Sequence, residues 1–437
     1  MKARLSILFF LQFAVWGSYL VSVGQYLGSA GLGADIQWFY AAGGFAALFM
    51  PALMGAVADR YIQAQRLLGL LHLGAALSMA AAWCYGLAHP QPAFGPLFAL
   101  FALSTAFYIP TVALCNSVSF SALKGEGMNP VKAFPVIRVW GTVGFVVMMW
   151  TVNSVWVTPD GRGWGVTLSE SDPHAMMRMQ YTVWQLFAAA CTGLVTALYT
   201  LSLPHVPVTA GEPRRGIPVV SSMRLLANRR MLPFFLFAML IGVALQINNG
   251  YVTPWLTHFR GLAEYAATFG ASNATLLTSL SQISEALWIL PVGCVLARIG
   301  VKRTIMISIV CWVVNFLCFA LGDTGSGLWL IVTGMLVYGV AFNFFNVAGA
   351  LYVDMIAPAS DKSAAQGLLM MMTKGVGASA GMLGAGAVVN TLCHWEVVGG
   401  NRYFMGDWTT AWAIFAAYCA LVALLFLLFF RPSPKAL

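Results

Sequence analysis

Glu285 stands in the middle of 272–297, a run otherwise free of charge until its end, and Gln282 lies three residues before it on the same helical face. An ionisable side chain at mid-depth in a membrane helix costs roughly 2.5–3.5 kcal/mol, so it is expected to face a polar cavity and to act there. Other stretches bring matching chemistry. Gln246, Asn248 and Asn249 cluster in LQINNG, and Asn343 and Asn346 alternate with Phe342, Phe344 and Phe345. Arg138, Thr142 and Phe145 recur at i, i+4 and i+7, which puts a cation, a hydroxyl and a ring on one helical face; Arg138 either lines the cavity or snorkels to the surface. Lys374 is the second unexpected charge. Amides bind an imide edge in both directions, and a carboxylate accepts bonds from paired hydroxyls. A ring stacks on a heteroaromatic face for about 1–3 kcal/mol. The set suits a small, neutral, flat, hydroxyl-rich solute, and a single Arg near a Glu argues against a strongly anionic one such as a nucleotide.

These residues need long apolar elements to hold them. Of 437 residues, 60% are hydrophobic and 8% charged, a balance that excludes a soluble protein of this length. Apolar runs long enough to cross a ~30 Å hydrocarbon layer recur at 5–28, 37–58, 67–87, 94–120, 137–156, 181–203, 231–257, 272–297, 304–322, 327–350, 364–390 and 409–430. The expected class is an all-α integral membrane protein with twelve transmembrane helices. Continuous apolar runs exclude a β-barrel, whose strands alternate. The formal charge of +9 is a topology signal and not a nucleic-acid footprint. With both termini cytoplasmic, most Lys and Arg fall in inner loops, and the outer loops hold only Arg162, Arg178, Arg260 and Arg402.

The start MKARLSILFF opens either a signal peptide, with Gly28-Ser29-Ala30 imitating a cleavage site, or a retained first helix; the length of the run and Gln12 within it favour the helix. Gln12, Trp16 and Tyr19 share one face of that run, as a packing stripe or a pore lining. Pro110 in mid-span marks a bend beside a cavity. Most cysteines lie within spans, without a C-x-x-C pair, and read as packing residues. No metal-ligand pair such as H-E-x-x-H occurs, the histidines are scattered, and His72, the one well inside a span, reads as a packing residue. An enzyme is therefore not expected, nor a metal or cofactor, and no soluble domain points to a sensor. The basic segment 204–230 reads as a cytoplasmic linker between an N-terminal bundle, 1–203, and a C-terminal bundle, 231–437.

Gly55-Ala56-Val57-Ala58-Asp59-Arg60 resembles the G-x-x-x-D-R loop signature of the major facilitator superfamily, in which the charges gate the inner surface. Gly293 and Arg298-Ile299-Gly300-Val301-Lys302-Arg303 form a degenerate second copy about half the chain away, and the long loops 157–180 and 391–408 also correspond. Two pseudo-symmetric six-helix bundles with a substrate site near mid-membrane follow from such duplication. The strings FLQFAVWGSYL, FYIPTVALCNS, FPVIRVWGTVGF, LPHVPV, LQINN, SQISE, YGVAFNFFN and AQGLLMMMT closely resemble the nucleoside:proton symporter family, the bacterial nucleoside permeases of that superfamily, over nearly the whole chain. The resemblance implies proton-driven nucleoside import across the bacterial cytoplasmic membrane by a monomer that meets lipid and no nucleic acid. It places substrate contacts on Arg138, Thr142, Phe145, Gln246, Asn249, Gln282, Glu285 and Phe342. Two positions depart. The family pattern F-D-F-F is here Phe342-Asn343-Phe344-Phe345, and the neutral polar residue after M-M-T is here Lys374. Glu285 is then the expected proton carrier, its proton affinity raised by desolvation and lowered by a nearby Lys374 or Arg138. A permanent Glu285–Lys374 pair would instead leave a facilitator, and a sugar, glycoside or nucleobase is the alternative solute.

Overall fold

The first apolar run folds as α1 (Lys2–Gly17) and α2 (Val23–Ser29), with a turn between them in the computed structural model, which describes residues 1–128, 130–169, 172–204, 226, 231–289, 291–357 and 362–431. The serines at the break bond outside the backbone ladder: Ser18 Oγ donates back to the Ala14 carbonyl at 2.8 Å, and Ser22 Oγ reaches the distant Gln185 Oε1 at 2.8 Å. Such bonds compete with the helical ladder, and the expected single helix over 5–28 is interrupted. The chain continues as α3 (Ile36–Arg60), α4 (Ala64–Ala88), α5 (Phe94–Gly125), α6 (Pro130–Ser154) and α7 (Trp184–Tyr199). Beyond the linker follow α8 (Leu232–His258), α9 (Ala274–Trp288), α10 (Val292–Leu321), α11 (Leu328–Ile356), α12 (Lys362–Met370), a π-helical turn (Met371–Gly377), α13 (Ala378–Leu392) and α14 (Trp408–Phe429).

Ten described helical segments are long and apolar enough to cross a membrane. The expected spans 5–28 and 272–297 are absent from that set because each is broken. In the second, Pro291 cannot donate to the ladder and its ring clashes with the carbonyl four residues back, so α9 stops at Trp288 and α10 starts at Val292. Gly300, at φ 75°, then breaks α10 near the boundary expected between two spans. The linker 204–230 lies almost entirely outside the described residues.

The chain divides into two compact units. The first comprises Met1–Pro213, Ser272–Ser279 and Val397–Arg402. One helix contact within it is backbone on backbone: a Cβ on Gly17 would lie 2.3 Å from the Phe145 carbonyl oxygen, and one on Gly144 would lie 2.1 Å from that of Phe10. Only glycine lets α1 and α6 approach this far, as small residues do at helix interfaces in lipid. The second unit comprises Arg214–Ala271, Leu280–Glu396 and Tyr403–Leu437. It repeats the device: a Cβ on Gly242 of α8 would lie 2.3 Å from the Thr373 carbonyl oxygen, and one on Gly377 would lie 2.4 Å from that of Met239. Large apolar side chains such as Phe49, Leu77, Trp329 and Leu427 are exposed, as a lipid-facing exterior requires.

The segments expected as long loops carry β-hairpins. β1 (Val155–Val157) pairs antiparallel with β2 (Trp164–Val166), and β3 (Cys393–Val398) pairs with β4 (Asn401–Gly406) across Gly399 and Gly400, both at positive φ as a tight two-residue turn requires. Asp407 caps α14 by accepting from the Thr410 amide at 2.9 Å, and the Thr410 hydroxyl and amide hold its carboxyl below the usual range.

Arg178, expected in an outer loop, is fully buried in the first unit. Its Nε donates to the Ala175 carbonyl, Nη1 to Asn273 Oδ1 and Nη2 to the Ser272 carbonyl, each at 2.9 Å. Asn273 Oδ1 also accepts from Asn153 Nδ2 at 2.9 Å, and the Ser272 carbonyl from the Tyr181 hydroxyl at 3.1 Å. A planar guanidinium answers several acceptors at once, which is why a cation is stable there. Arg178→Ala removes a donor from each of three acceptors, of which Asn273 Oδ1 and the Ser272 carbonyl keep another, and the expected loss is about 1–3 kcal/mol, with Arg178→Lys recovering only part. Thermal unfolding in detergent measures it; unchanged melting of the alanine variant would remove this assignment.

Candidate functional site

In the first unit the glycines of α6 set the surroundings of Arg138. With no side chain at Gly141, where a Cβ would lie 2.8 Å from the Phe13 ring, the guanidinium lies over that ring at 4.0 Å and over Phe9 at 5.8 Å. Arg138 is thus held against α1 by cation–π attraction, about 0.5–2 kcal/mol, and is within electrostatic reach of Tyr108. Thr142 is half-buried one turn on, and Phe145 is buried in the core beside Gly17. Gln12 and Tyr19 are both buried. Gln12 Nε2 donates to Thr111 Oγ1 at 2.7 Å, and Gln12 Oε1 accepts from His72 Nε2 at 2.7 Å. Since an amide oxygen only accepts, the His72 proton on that bond sits on Nε2.

In the second unit the later part of α9 meets the middle of α11. A Cβ on Gly339 would lie 2.4 Å from the Ser284 carbonyl carbon, so glycine brings α11 against α9 just before Glu285. Ser284 Oγ donates to the Leu336 carbonyl. Asn343, buried, donates from Nδ2 to the Glu285 carbonyl at 2.6 Å, where the ladder weakens toward the break at Pro291 and the Ile289 amide reaches the same oxygen at only 3.3 Å. The carboxamide therefore serves as a cap on a helix end at membrane depth. The family pattern that places a carboxylate here had drawn attention to charge; the neutral residue has a donor's task that the sequence alone did not disclose.

Tyr338 is the residue that sequence reasoning missed. Its hydroxyl is hydrogen-bonded by the Gln282 side chain and lies in the field of Glu285. Its ring stacks on Phe342 at 6.0 Å and 11°, and meets Trp312 edge-on at 5.5 Å and 89°. The i, i+4 spacing of Tyr338 and Phe342 was the available signal. Phe342 and Trp312 also wall a small cavity, whose other sides include Gly242 and Leu245 of α8, Phe345 and Asn346 of α11, and Thr373 and Lys374 of the π turn. An aromatic wall thus runs from the Gln282–Glu285 face to Lys374. π-helical turns inside longer helices are rare and concentrate at functional sites. Thr373 Oγ1 donates back to the Leu369 carbonyl at 2.8 Å within this one.

Gln246, next to Leu245 of the cavity wall, and Asn249, about a turn further on, are half-buried on α8, and Asn248 between them is buried. Asp59 and Arg60 close α3, and their side chains lie outside the described ones. The structure gathers Gln282, Glu285, Phe342, Asn343 and Lys374 around one aromatic wall in the second unit. Arg138, Thr142 and Phe145 remain together on α6 in the first.

The family model described as Nucleoside H+ symporter matches residues 1–435. The nucleoside permease NupG of Escherichia coli K12 is 34% identical over 99% of this chain and 96% of its own length, and the xanthosine permease of the same organism is 35% identical over 98% and 95%. The crystal structure of a NupG variant superposes with a TM-score of 0.84, covering 98% of this chain and all of that one. The xylose transporter XylE of E. coli shares the fold at 11% identity and a TM-score of 0.64, covering 99% and 97%. Matched over almost its full length by both the family model and relatives above 30% identity, the chain belongs to the nucleoside H+ symporter family.

Proposed function

We propose that this protein imports nucleosides across the bacterial cytoplasmic membrane together with protons, by alternating access. The observation that carries the reading is the aromatic wall of Trp312, Tyr338 and Phe342 with Gln282 and Glu285 at one end: rings for a flat base, an amide, and a carboxylate for hydroxyls or a proton. The substrate contacts in this reading are Arg138, Thr142 and Phe145 on α6, Gln246 and Asn249 on α8, Gln282 and Glu285 on α9, and Phe342 and Asn343 on α11. Glu285 carries the proton, Lys374 tunes it, and Asp59 and Arg60 gate the inner side.

The same reading takes 1–203 and 231–437 as six-helix bundles joined by the cytoplasmic linker 204–230, and counts the interrupted segments around 5–28 and 272–297 as crossings. The skew of Lys and Arg toward alternate loops supports cytoplasmic termini. A monomer in contact with lipid suffices for such a cycle.

Radiolabelled uridine and adenosine uptake into proteoliposomes, with and without an inward proton gradient, tests the function. Gradient-driven accumulation is expected, approaching about fiftyfold for one charge moved down ~100 mV. Equilibration without accumulation would make the protein a facilitator, and uptake of competing sugars alone would overturn the nucleoside reading. Glu285→Gln is expected to abolish accumulation while sparing exchange of internal for external nucleoside; accumulation with unchanged pH dependence would acquit Glu285. Asn343→Asp loses the donor to the Glu285 carbonyl whenever the new carboxyl is ionised, and burial favours its protonated form, which restores the bond. The variant is therefore expected to melt below the wild type at alkaline pH, by about 1–3 kcal/mol, with the gap closing in acid. A pH-independent gap would dismiss the capping role.

A further inference from the structure

We infer that His72 is a positioning residue for the substrate face of α6: through Gln12 it fixes the setting of α1, and with it the aromatic seat on which Arg138 rests. The inference rests on the reading of Arg138 as a substrate contact, and it departs from the packing role that the sequence favours for His72.

His72 of α4, Gln12 of α1, and Thr111 and Tyr108 of α5 form a polar network in the first unit, all of them buried, and the direction of every bond in it is determined. The Thr111 hydroxyl gives its single proton to the Tyr108 carbonyl at 2.5 Å, so toward Gln12 it can only accept. The Gln12 amide must therefore turn its nitrogen to Thr111, at 2.7 Å, and its oxygen to His72, also at 2.7 Å. His72 in turn donates from Nε2, which leaves the Nδ1 lone pair bare. That nitrogen is buried and has no hydrogen-bond partner among the described residues. An unpaired acceptor in the core is costly, and a phenylalanine would pack without it. What the imidazole contributes is the one donor that the Gln12 oxygen requires.

The network holds α1 as well as itself. Tyr108 donates its hydroxyl to the Gln12 backbone carbonyl at 2.6 Å, so α5 grips this residue by its main chain and, through Thr111, by its side chain. The next residue is Phe13, whose ring carries the Arg138 guanidinium at 4.0 Å. From Phe13 a path of rings runs to Trp16 at 6.1 Å and on to Tyr108 at 5.2 Å, back to the side chain that grips Gln12. The glycine contacts at Gly17 and Gly144 set how near α1 lies to α6. The bonds of Gln12 add direction, because hydrogen bonds have preferred angles and a backbone contact has none. Without the His72 donor the Gln12 oxygen is left in search of another, α1 turns, and Phe13 no longer seats Arg138 where the solute meets it.

Equilibrium binding of labelled uridine to the purified full-length protein tests this, in a double-mutant cycle of His72→Phe with Arg138→Gln. His72→Gln runs beside it, since a glutamine amide nitrogen reaches the place of the imidazole Nε2 and restores the donor. His72→Phe is expected to raise the Kd about tenfold, what the loss of one charge-assisted bond from Arg138 to the solute costs, and His72→Gln to stay within about twofold of the wild type. In the Arg138→Gln background, His72→Phe is expected to change the Kd by less than about twofold, because the two residues act as one unit. Losses that multiply in the double variant, or a His72→Gln variant as weak as His72→Phe, would make the imidazole a structural residue and overturn the inference. Unchanged binding by His72→Phe would overturn it too. Where the phenylalanine variant does not fold, Thr111→Val gives the same cycle by removing the acceptor that orients the Gln12 amide, with Thr111→Ser as its rescue; equal losses in those two variants would again overturn it. An unaltered Kd in Arg138→Gln would remove the role of Arg138 and this inference with it, while leaving nucleoside binding standing. Binding of neither uridine nor adenosine by the wild type would remove the nucleoside reading as well.

Discussion

Backbone contact through glycine is the constraint on which the rest of the structure depends. In lipid no hydrophobic effect draws helices together, so they associate through packing and hydrogen bonds, and glycine admits the closest packing. Gly17 and Gly144 bring α1 onto α6, and Gly242 and Gly377 bring α8 onto the π turn. In each unit the cation stands just before the glycine on the later element: Arg138 precedes Gly141 and Gly144, and Lys374 precedes Gly377. A side chain at any of these glycines would push apart the elements that aim the two cations, so their positions are set by backbone geometry before any electrostatic term acts.

The second constraint is the break after α9. Irregular backbone is tolerated at membrane depth only where its polar groups find partners. Asn343 meets the Glu285 carbonyl from across α11, and Gly339 permits the approach that makes this bond possible. Glu285 thus sits near the end of a helix whose last turn is held by a neighbouring side chain as well as by its own ladder.

Much of this was legible in the sequence because apolar run length and helical spacing are local properties. The spans, the Glu285–Gln282 face and the aromatic framing of Asn343 all follow from them. The breaks at 18–22 and at Pro291 were less visible, since hydropathy averages over a serine or a proline that ends the ladder. The hairpin at Gly399-Gly400 had a signal, paired glycines between β-favouring residues, that the reading of a loop overlooked. Arg178 could not have been found this way. An arginine in a polar outer segment looks solvated, and only the convergence of Ser272 and Asn273, nearly a hundred residues away, shows it buried. Tyr338 was hidden for the opposite reason, because one hydroxyl in an apolar stretch is usually packing.

The two departures from the family pattern are best understood as one. Asn343 removes a negative charge and Lys374 adds a positive one within residues that share a single aromatic wall. A carboxylate at 343 beside the Glu285 carbonyl would add repulsion to desolvation, whereas the amide donates there and carries no charge. Lys374 lines the cavity that Phe342, the residue before Asn343, also walls, so both departures bear on one packed region of the second unit.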